Sequence, residues 1–313
     1  MILGSSSTSP DKIIINREIY RKRTFPTTIP TNNLLDFSVF STKFIITKPV
    51  VASFKCSSTK KEYNNVENII EEFSVLSSLD TPWDGDSIWS TMGLYFFSLH
   101  VPLSFGGLSA VAQILQQPVL DPQIEAVSIL LIVTMELFGT LALLRYTKKT
   151  DYKLANLFFQ SSEFSKQRNW VKASCLGIGF LIFLVFLTSF VADILIGPKD
   201  VNNPMQKEIL SSGPIAKMAF FFLYCFITPL LEETVYRGFL LTSLCSSKMK
   251  WQQAVILSSF IFSLAHFSSD SSPQLFVIGC VLGCSYCWSG NLLSSFTIHA
   301  LYNALTLIVT ILS

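Results

Sequence analysis

The sequence predicts an all-α protein: a polytopic membrane bundle of about seven transmembrane helices. Three observations carry that expectation. Half of the 313 residues are hydrophobic and 14% are charged, with a mean hydropathy of +0.47; soluble domains carry about 25% charged residues. Seven apolar stretches follow one another between residues 88 and 312, most of them near the ~20 residues that cross a bilayer. The charges gather ahead of those stretches, with nine Lys/Arg and three acids in residues 1–60, then one Lys and seven acids in residues 61–90. Helices are the expected element because a sheet edge in lipid would leave backbone groups without partners. The 27 Phe and 5 Trp exclude a disordered chain, and a net charge of +2 offers no basic surface for nucleic acid.

Residues 1–56 read as an organellar leader. The first sixty residues hold 17 Ser/Thr, few acids and no apolar run long enough for a secretory core, the composition of a transit peptide. The segment Val50 to Cys56 resembles the small-residue cleavage region of plastid leaders. Mitochondrial import is the runner-up, because Ile13 to Arg23 can form a short basic amphipathic helix; a disordered cytosolic tail is the plain alternative. Residues 57–87 form a polar, acidic linker, with a short helix expected from Asn65 to Leu79.

The membrane domain, 88–313, then divides into spans at 88–115, 124–144, 170–196, 214–244, 252–268, 274–289 and 292–312. The first is interrupted by Pro102 and by Gly106-Gly107. The fourth is about 31 residues long and carries Pro229 and two glutamates; the sixth is short. Gly279 and Gly283 have the GxxxG spacing of close helix packing. The loop 145–169 holds Arg145, Lys148, Lys149, Lys153, Lys166 and Arg168, and Lys248 and Lys250 fall on the same side if all seven segments span. The opposite loops hold only Lys199 and Lys207. The positive-inside rule places the N-terminus and the basic loops on the cytosol-like side. Six of the seven cysteines lie in or beside apolar runs; the CxxC pair Cys284 and Cys287 reads as plain buried thiols, with redox or metal use as the alternative.

Charged residues at mid-bilayer cost about 2.5–3.5 kcal/mol on insertion scales and normally pair or line a functional cavity. Glu136 and Asp193 read as isolated structural acids. The run Glu232-Glu233-Thr234-Val235-Tyr236-Arg237 is different. Glu233 and Arg237 are i,i+4 and can pair on one face, which leaves Glu232 without a local cation. Of the three histidines, His100 reads as a packing residue. His266 closes the run Phe262-Ser-Leu-Ala-His266, and His299 precedes Asn303 by one turn. With a rise of about 1.5 Å per residue, Glu232, His266, His299 and Asn303 lie roughly 18, 22, 10 and 17 Å from the basic-loop face, so one shared intramembrane site is geometrically allowed. A carboxylate in a low-dielectric cavity can act as a base toward water, a histidine can share the proton, and a second His with an Asn amide can support an oxyanion. No Ser or Cys is paired with a His, so no covalent nucleophile is indicated. Two His and a Glu also fit the ligand set of a catalytic zinc, but the HExxH spacing is absent and no carboxylate is evident to hold the far nitrogen of either His.

These residues resemble the CAAX prenyl endopeptidase and bacteriocin-processing family of intramembrane proteases, also called CPBP or ABI. Its three motifs, EExxxR, FxxxH and HxxxN, read here as Glu232-Glu233-x-x-x-Arg237, Phe262-x-x-x-His266 and His299-x-x-x-Asn303, in the family's order on successive apolar helices. The resemblance covers about 214–313. It implies that Glu232 is the general base, assisted by His266, that His299 and Asn303 form the oxyanion site, that Glu233 and Arg237 are a supporting ion pair, and that Phe262 packs beside them. It implies a metal-free hydrolase more readily than a zinc enzyme, acting on a membrane-protein or peptide substrate. The leader suggests a plant organellar member in a chloroplast membrane, thylakoid or envelope; a mitochondrial or endoplasmic-reticulum membrane is the alternative. Two further readings stay open: a catalytically idle membrane scaffold or partner in the chloroplast, and a transporter, although no inverted repeat is visible.

Overall fold

The computed structural model describes residues 73–76, 82–83, 85–149, 168–197, 213–246, 249–267 and 271–312. The expected leader, nearly all of the linker, and the loop lysines Lys153, Lys166, Lys199, Lys207 and Lys248 lie outside the described residues. Those described belong to the unit Ser57–Ser313 and contain seven helices and no strand. They are α1 Gly85–Ile114, α2 Pro122–Thr147, α3 Trp170–Ile196, α4 Pro214–Cys245, α5 Trp251–Ala265, α6 Ser272–Ser289 and α7 Leu292–Leu312.

Five of these, α1 to α4 and α7, are long and apolar enough to cross a membrane. The protein is a multi-pass membrane protein. Of the seven expected spans, α6 and α5 are not among these five. At about 1.5 Å per residue, the 18 residues of α6 reach roughly 27 Å and the 15 of α5 roughly 22 Å, the latter well short of a hydrocarbon core of about 30 Å. Helix α5 ends because Phe267 has a positive φ of 50°. That end leaves the exposed His266 at the C-terminal end of α5.

The helix starts follow local chemistry. Asp121 accepts a hydrogen bond from the Gln123 N–H at 2.9 Å and Asn169 one from Val171 at 2.9 Å, each satisfying an amide that has no partner in the first turn. Gly290 ends α6 in the left-handed region, φ 64°. A side chain there would also meet Val75 at 2.6 Å, where the Val75 N–H donates to the Cys287 carbonyl.

Two helices contain π-turns, and the first in each lies just upstream of a proline; α4 holds a second, Thr234–Leu241, with no proline after it. In α1 the π-turn is Phe96–His100 and the proline is Pro102; in α4 it is Leu223–Ile227 and the proline is Pro229. Proline lacks the N–H that the carbonyl four residues back would accept, and its ring crowds that carbonyl. The backbone responds by widening to i→i−5 bonds, Val101 N–H to Phe96 O and Thr228 N–H to Leu223 O. α1 is therefore continuous through the region that Pro102 and Gly106-Gly107 were expected to interrupt.

Polar and apolar residues are inverted relative to a soluble protein. Leu131, Met135 and Phe138 of α2 and Phe180, Phe183 and Phe186 of α3 face outward. Glu136, Glu233, Arg237, His299 and Asn303 are buried inside. Helix α4 is the hub. Its Leu231, Val235, Tyr236, Phe239, Leu240 and Leu241 pack among Met92 and Tyr95 of α1, Leu137 of α2, Phe262 of α5 and Tyr286 of α6. The GxxxG expectation is met at the α5–α6 crossing, where a Cβ on Gly279 would come within 2.9 Å of Ser259 Cβ. The described cysteines, Cys284 and Cys287 among them, are free thiols.

Candidate functional site

Helix α4 places its two glutamates on different faces, as consecutive residues must be, about 100° apart. Glu233 is fully buried and makes the expected pair with Arg237, at 2.8 Å between Oε1 and Nη1. Arg237 is held further by the Gly279 carbonyl at 3.3 Å and lies over the Phe262 ring, 4.6 Å from its centroid, a cation–π geometry. The close α5–α6 crossing at Gly279 thus brings the carbonyl within reach of the guanidinium.

Glu232, 17% exposed, faces a cavity of about 410 Å³ lined by Tyr224, Thr228, His266, Gln274, His299 and Asn303 among others. His266 Nε2 stands 3.7 Å from Glu232 Oε1, and His299 Nε2 3.6 Å from Oε2. The carboxylate sits between two imidazoles from different helices. Both separations exceed a direct hydrogen bond and suit a bridging water. His266 Nδ1 faces the Phe262 carbonyl at 2.8 Å. Neutral imidazole must donate there, so Nε2 is the nitrogen offered to Glu232. Phe262 therefore serves twice, through its ring beneath Arg237 and through its carbonyl beneath His266.

His299 Nδ1 lies 2.9 Å from Glu233 Oε1. Glu233 already accepts from Arg237, so the imidazole is the donor. This corrects the expectation that neither His has a carboxylate at its far nitrogen: Glu233 orients His299, as carboxylates orient functional histidines elsewhere. Asn303 Nδ2 donates to the Tyr224 carbonyl at 2.9 Å. That carbonyl is available for a reason legible in the chain. In the π register the next bond after Thr228 to Leu223 would run from residue 229 to Tyr224, and residue 229 is a proline with no N–H. One amide hydrogen of Asn303 is thereby anchored and the other is left for the cavity.

All seven expected site residues thus belong to one assembly, joined through α4, α5 and α7. Two residues read as unimportant do not fit that reading. Glu136 is not an isolated acid: it is 2% exposed and bonded to Tyr95 and His100. His100 accordingly does more than pack. Asp193 is exposed, near the end of α3. Among the described residues no group of three or more His, Cys, Asp or Glu is arranged to hold a metal ion. The two histidines approach opposite oxygens of Glu232, so the three side chains do not converge on one point.

Residues 214–305 match the family model described as type II CAAX prenyl endopeptidase, Rce1-like. The chain is 29% identical over 143 residues to the membrane-embedded CAAX protease MroQ of Staphylococcus aureus (strain USA300), a match spanning 44% of this chain and 57% of that protein's length. No solved structure matches the chain. The family-model match spans α4 to α7, the helices that carry the three motifs, and excludes α1 to α3.

Proposed function

From the premise that residues 214–305 belong to the CAAX endopeptidase family, we propose that the protein is an intramembrane endopeptidase that hydrolyses a peptide bond of a membrane protein with activated water. The observation that supports this best is the position of Glu232 between two imidazoles at 3.6 and 3.7 Å on a cavity wall. In this mechanism a water held between Glu232 and His266 loses a proton to Glu232 as its oxygen adds to the carbonyl carbon. The oxyanion that develops is received by the second amide hydrogen of Asn303 and, once its Nε2 carries a proton as well, by His299. Collapse breaks the C–N bond, and the proton held by Glu232 passes to the leaving amine. Glu233 and Arg237 act through His299: they set its ring and its tautomer. No metal enters the reaction. The Ser/Thr-rich, basic leader supports a chloroplast membrane as the site of action, thylakoid or envelope.

The test is a null line complemented with wild-type protein or with Glu232→Gln at equal abundance, with membrane proteins compared by their terminal peptides. Loss of a general base costs about 10²–10⁴-fold, so unprocessed substrates should accumulate in both the null and the Glu232→Gln lines. Full rescue by Glu232→Gln overturns the proposal and leaves a scaffold.

A further inference from the structure

Helices α1 and α2, outside the segment that the family model matches, carry a second polar cluster. Glu136 Oε1 accepts a hydrogen bond from Tyr95 Oη at 3.0 Å and lies 2.8 Å from His100 Nδ1. The Tyr95 and His100 rings stack with centroids 5.5 Å apart. Residues five apart on a regular α-helix point about 140° away from each other; the π-turn Phe96–His100 removes that offset and lets both reach one carboxylate. A π-turn spent on aligning two polar side chains, with a buried acid between membrane helices, marks a functional element more than packing. Through Nδ1, His100 is held by Glu136. Among the described residues Nε2 has no protein partner, and the ring lines a cavity of about 360 Å³.

Glu232 and His266 line the same cavity, and Ser104 and Thr228 add hydroxyls. Thr228, Glu232 and His266 also line the first cavity, so the two cavities reach the same carboxylate from different sides. The depths agree. His100 lies 15 residues from Gly85 and Glu136 lies 11 from Thr147, roughly 22 and 17 Å at 1.5 Å per residue, close to the expected depth of Glu232.

We propose that the cavity between α1, α2 and α4 is a hydrated compartment that delivers water to Glu232, with Tyr95, His100 and Glu136 as its polar anchor. The delivery role rests on the endopeptidase reading; the hydration does not. Each hydrolysis consumes one water, and a peptide lying over the His299–Asn303 side covers Glu232 from that direction. The second cavity supplies the carboxylate from the other. Its volume holds on the order of ten waters, and its polar side chains supply the two to four partners that ordered water needs.

The test uses the full chain in liposomes with Ser104→Cys and a water-soluble trimethylammonium methanethiosulfonate. The thiolate attacks the reagent's sulfenyl sulfur, forms a mixed disulfide and releases methanesulfinate. Mass spectrometry of the peptide containing position 104 separates this signal from the native cysteines. Ser104→Cys should react at least tenfold faster than Leu131→Cys on the outward face of α2, and adding His100→Leu with Glu136→Leu should abolish the advantage. Equal rates at positions 104 and 131 overturn the compartment. For delivery, Ser104→Phe should lower kcat at least tenfold with KM unchanged, while Leu131→Phe leaves both alone; wild-type turnover in Ser104→Phe overturns delivery with the endopeptidase reading intact. If the wild-type chain cleaves nothing while the Ser104→Cys chain labels as expected, the endopeptidase reading and the delivery role are overturned, and the labelling still establishes the compartment.

Discussion

Replacing Arg237 with Met should be among the most damaging single changes in this protein, and replacing its partner as well should undo most of the damage. The structure sets the size of both effects. Arg237 is 1% exposed and Glu233 is fully buried, 2.8 Å apart. Arg237→Met leaves an uncompensated carboxylate inside the bundle, which costs about 3–5 kcal/mol, and the lost guanidinium over Phe262 adds about 1 kcal/mol. The double variant Glu233→Met/Arg237→Met removes both charges and fills their space with apolar side chains, which is neutral or mildly stabilising in other buried pairs. Its stability should therefore return to within about 1–2 kcal/mol of wild type. Cleavage should not return, because methionine cannot accept the Nδ1 proton of His299. Reversible SDS unfolding of the full chain in mixed micelles, followed by tryptophan fluorescence, measures the first quantity; turnover of a substrate found by terminal proteomics measures the second. An Arg237→Met protein within 1 kcal/mol of wild type, or a double variant no more stable than that single one, refutes the electrostatic reasoning. A double variant that cleaves normally refutes the positioning role of Glu233.

Other consequences are simpler to state. Gly279→Ala places a methyl within 2.9 Å of Ser259 Cβ and 3.1 Å of its Cα; the α5–α6 crossing must widen, at a cost of about 1–3 kcal/mol, while Gly179→Ala, with open space around it, should leave the same unfolding curve unchanged. Gly290→Ala combines a left-handed backbone, worth about 1–2 kcal/mol, with a collision at Val75, so limited proteolysis should cut near residues 73–76 markedly faster than in wild type. Cleavage activity should survive dialysis against a strong chelator; loss of turnover that zinc restores would put a metal into the mechanism.

The C-terminal site was legible because its chemistry is written in local spacings. Glu233 and Arg237 are one turn apart, His299 and Asn303 likewise, and each pair announces itself in a helix that has no other reason to hold polar groups. The depth arithmetic then brought the helices to a common level. What could not be read was anything that depends on the π-turns. Tyr95 and His100 are five apart, a spacing that places them on different faces of an ordinary helix, and Glu136 lies 36 residues further on, so no pattern joins the three. The one local signal is a proline two residues past a π-turn, Pro102 in α1 and Pro229 after Leu223–Ile227 in α4; the second α4 turn, Thr234–Leu241, has none. The shortness of α5 was half legible: one apolar residue, Phe267, follows His266 before Ser268-Ser269-Asp270, and the positive φ of Phe267 is the part the sequence does not show. The anchoring of Asn303 on Tyr224 follows from a missing proline N–H, an absence that residue types reveal only after the π register is known.

The division of partners around α4 has a consequence for how the bundle assembles. Glu233 and Arg237 lie within one turn of each other, so they can enter the bilayer as a pair. Glu232 has no such companion on its own helix. Its histidines lie 34 and 67 residues further along the chain. Until α5 and α7 dock, the carboxylate imposes about 2.5–3.5 kcal/mol on the insertion of α4, offset only by the leucines and phenylalanines around it. Helix α4 is therefore the element whose place in the bilayer depends most on the helices that follow it, and the residues that define the site also tie its insertion to their arrival.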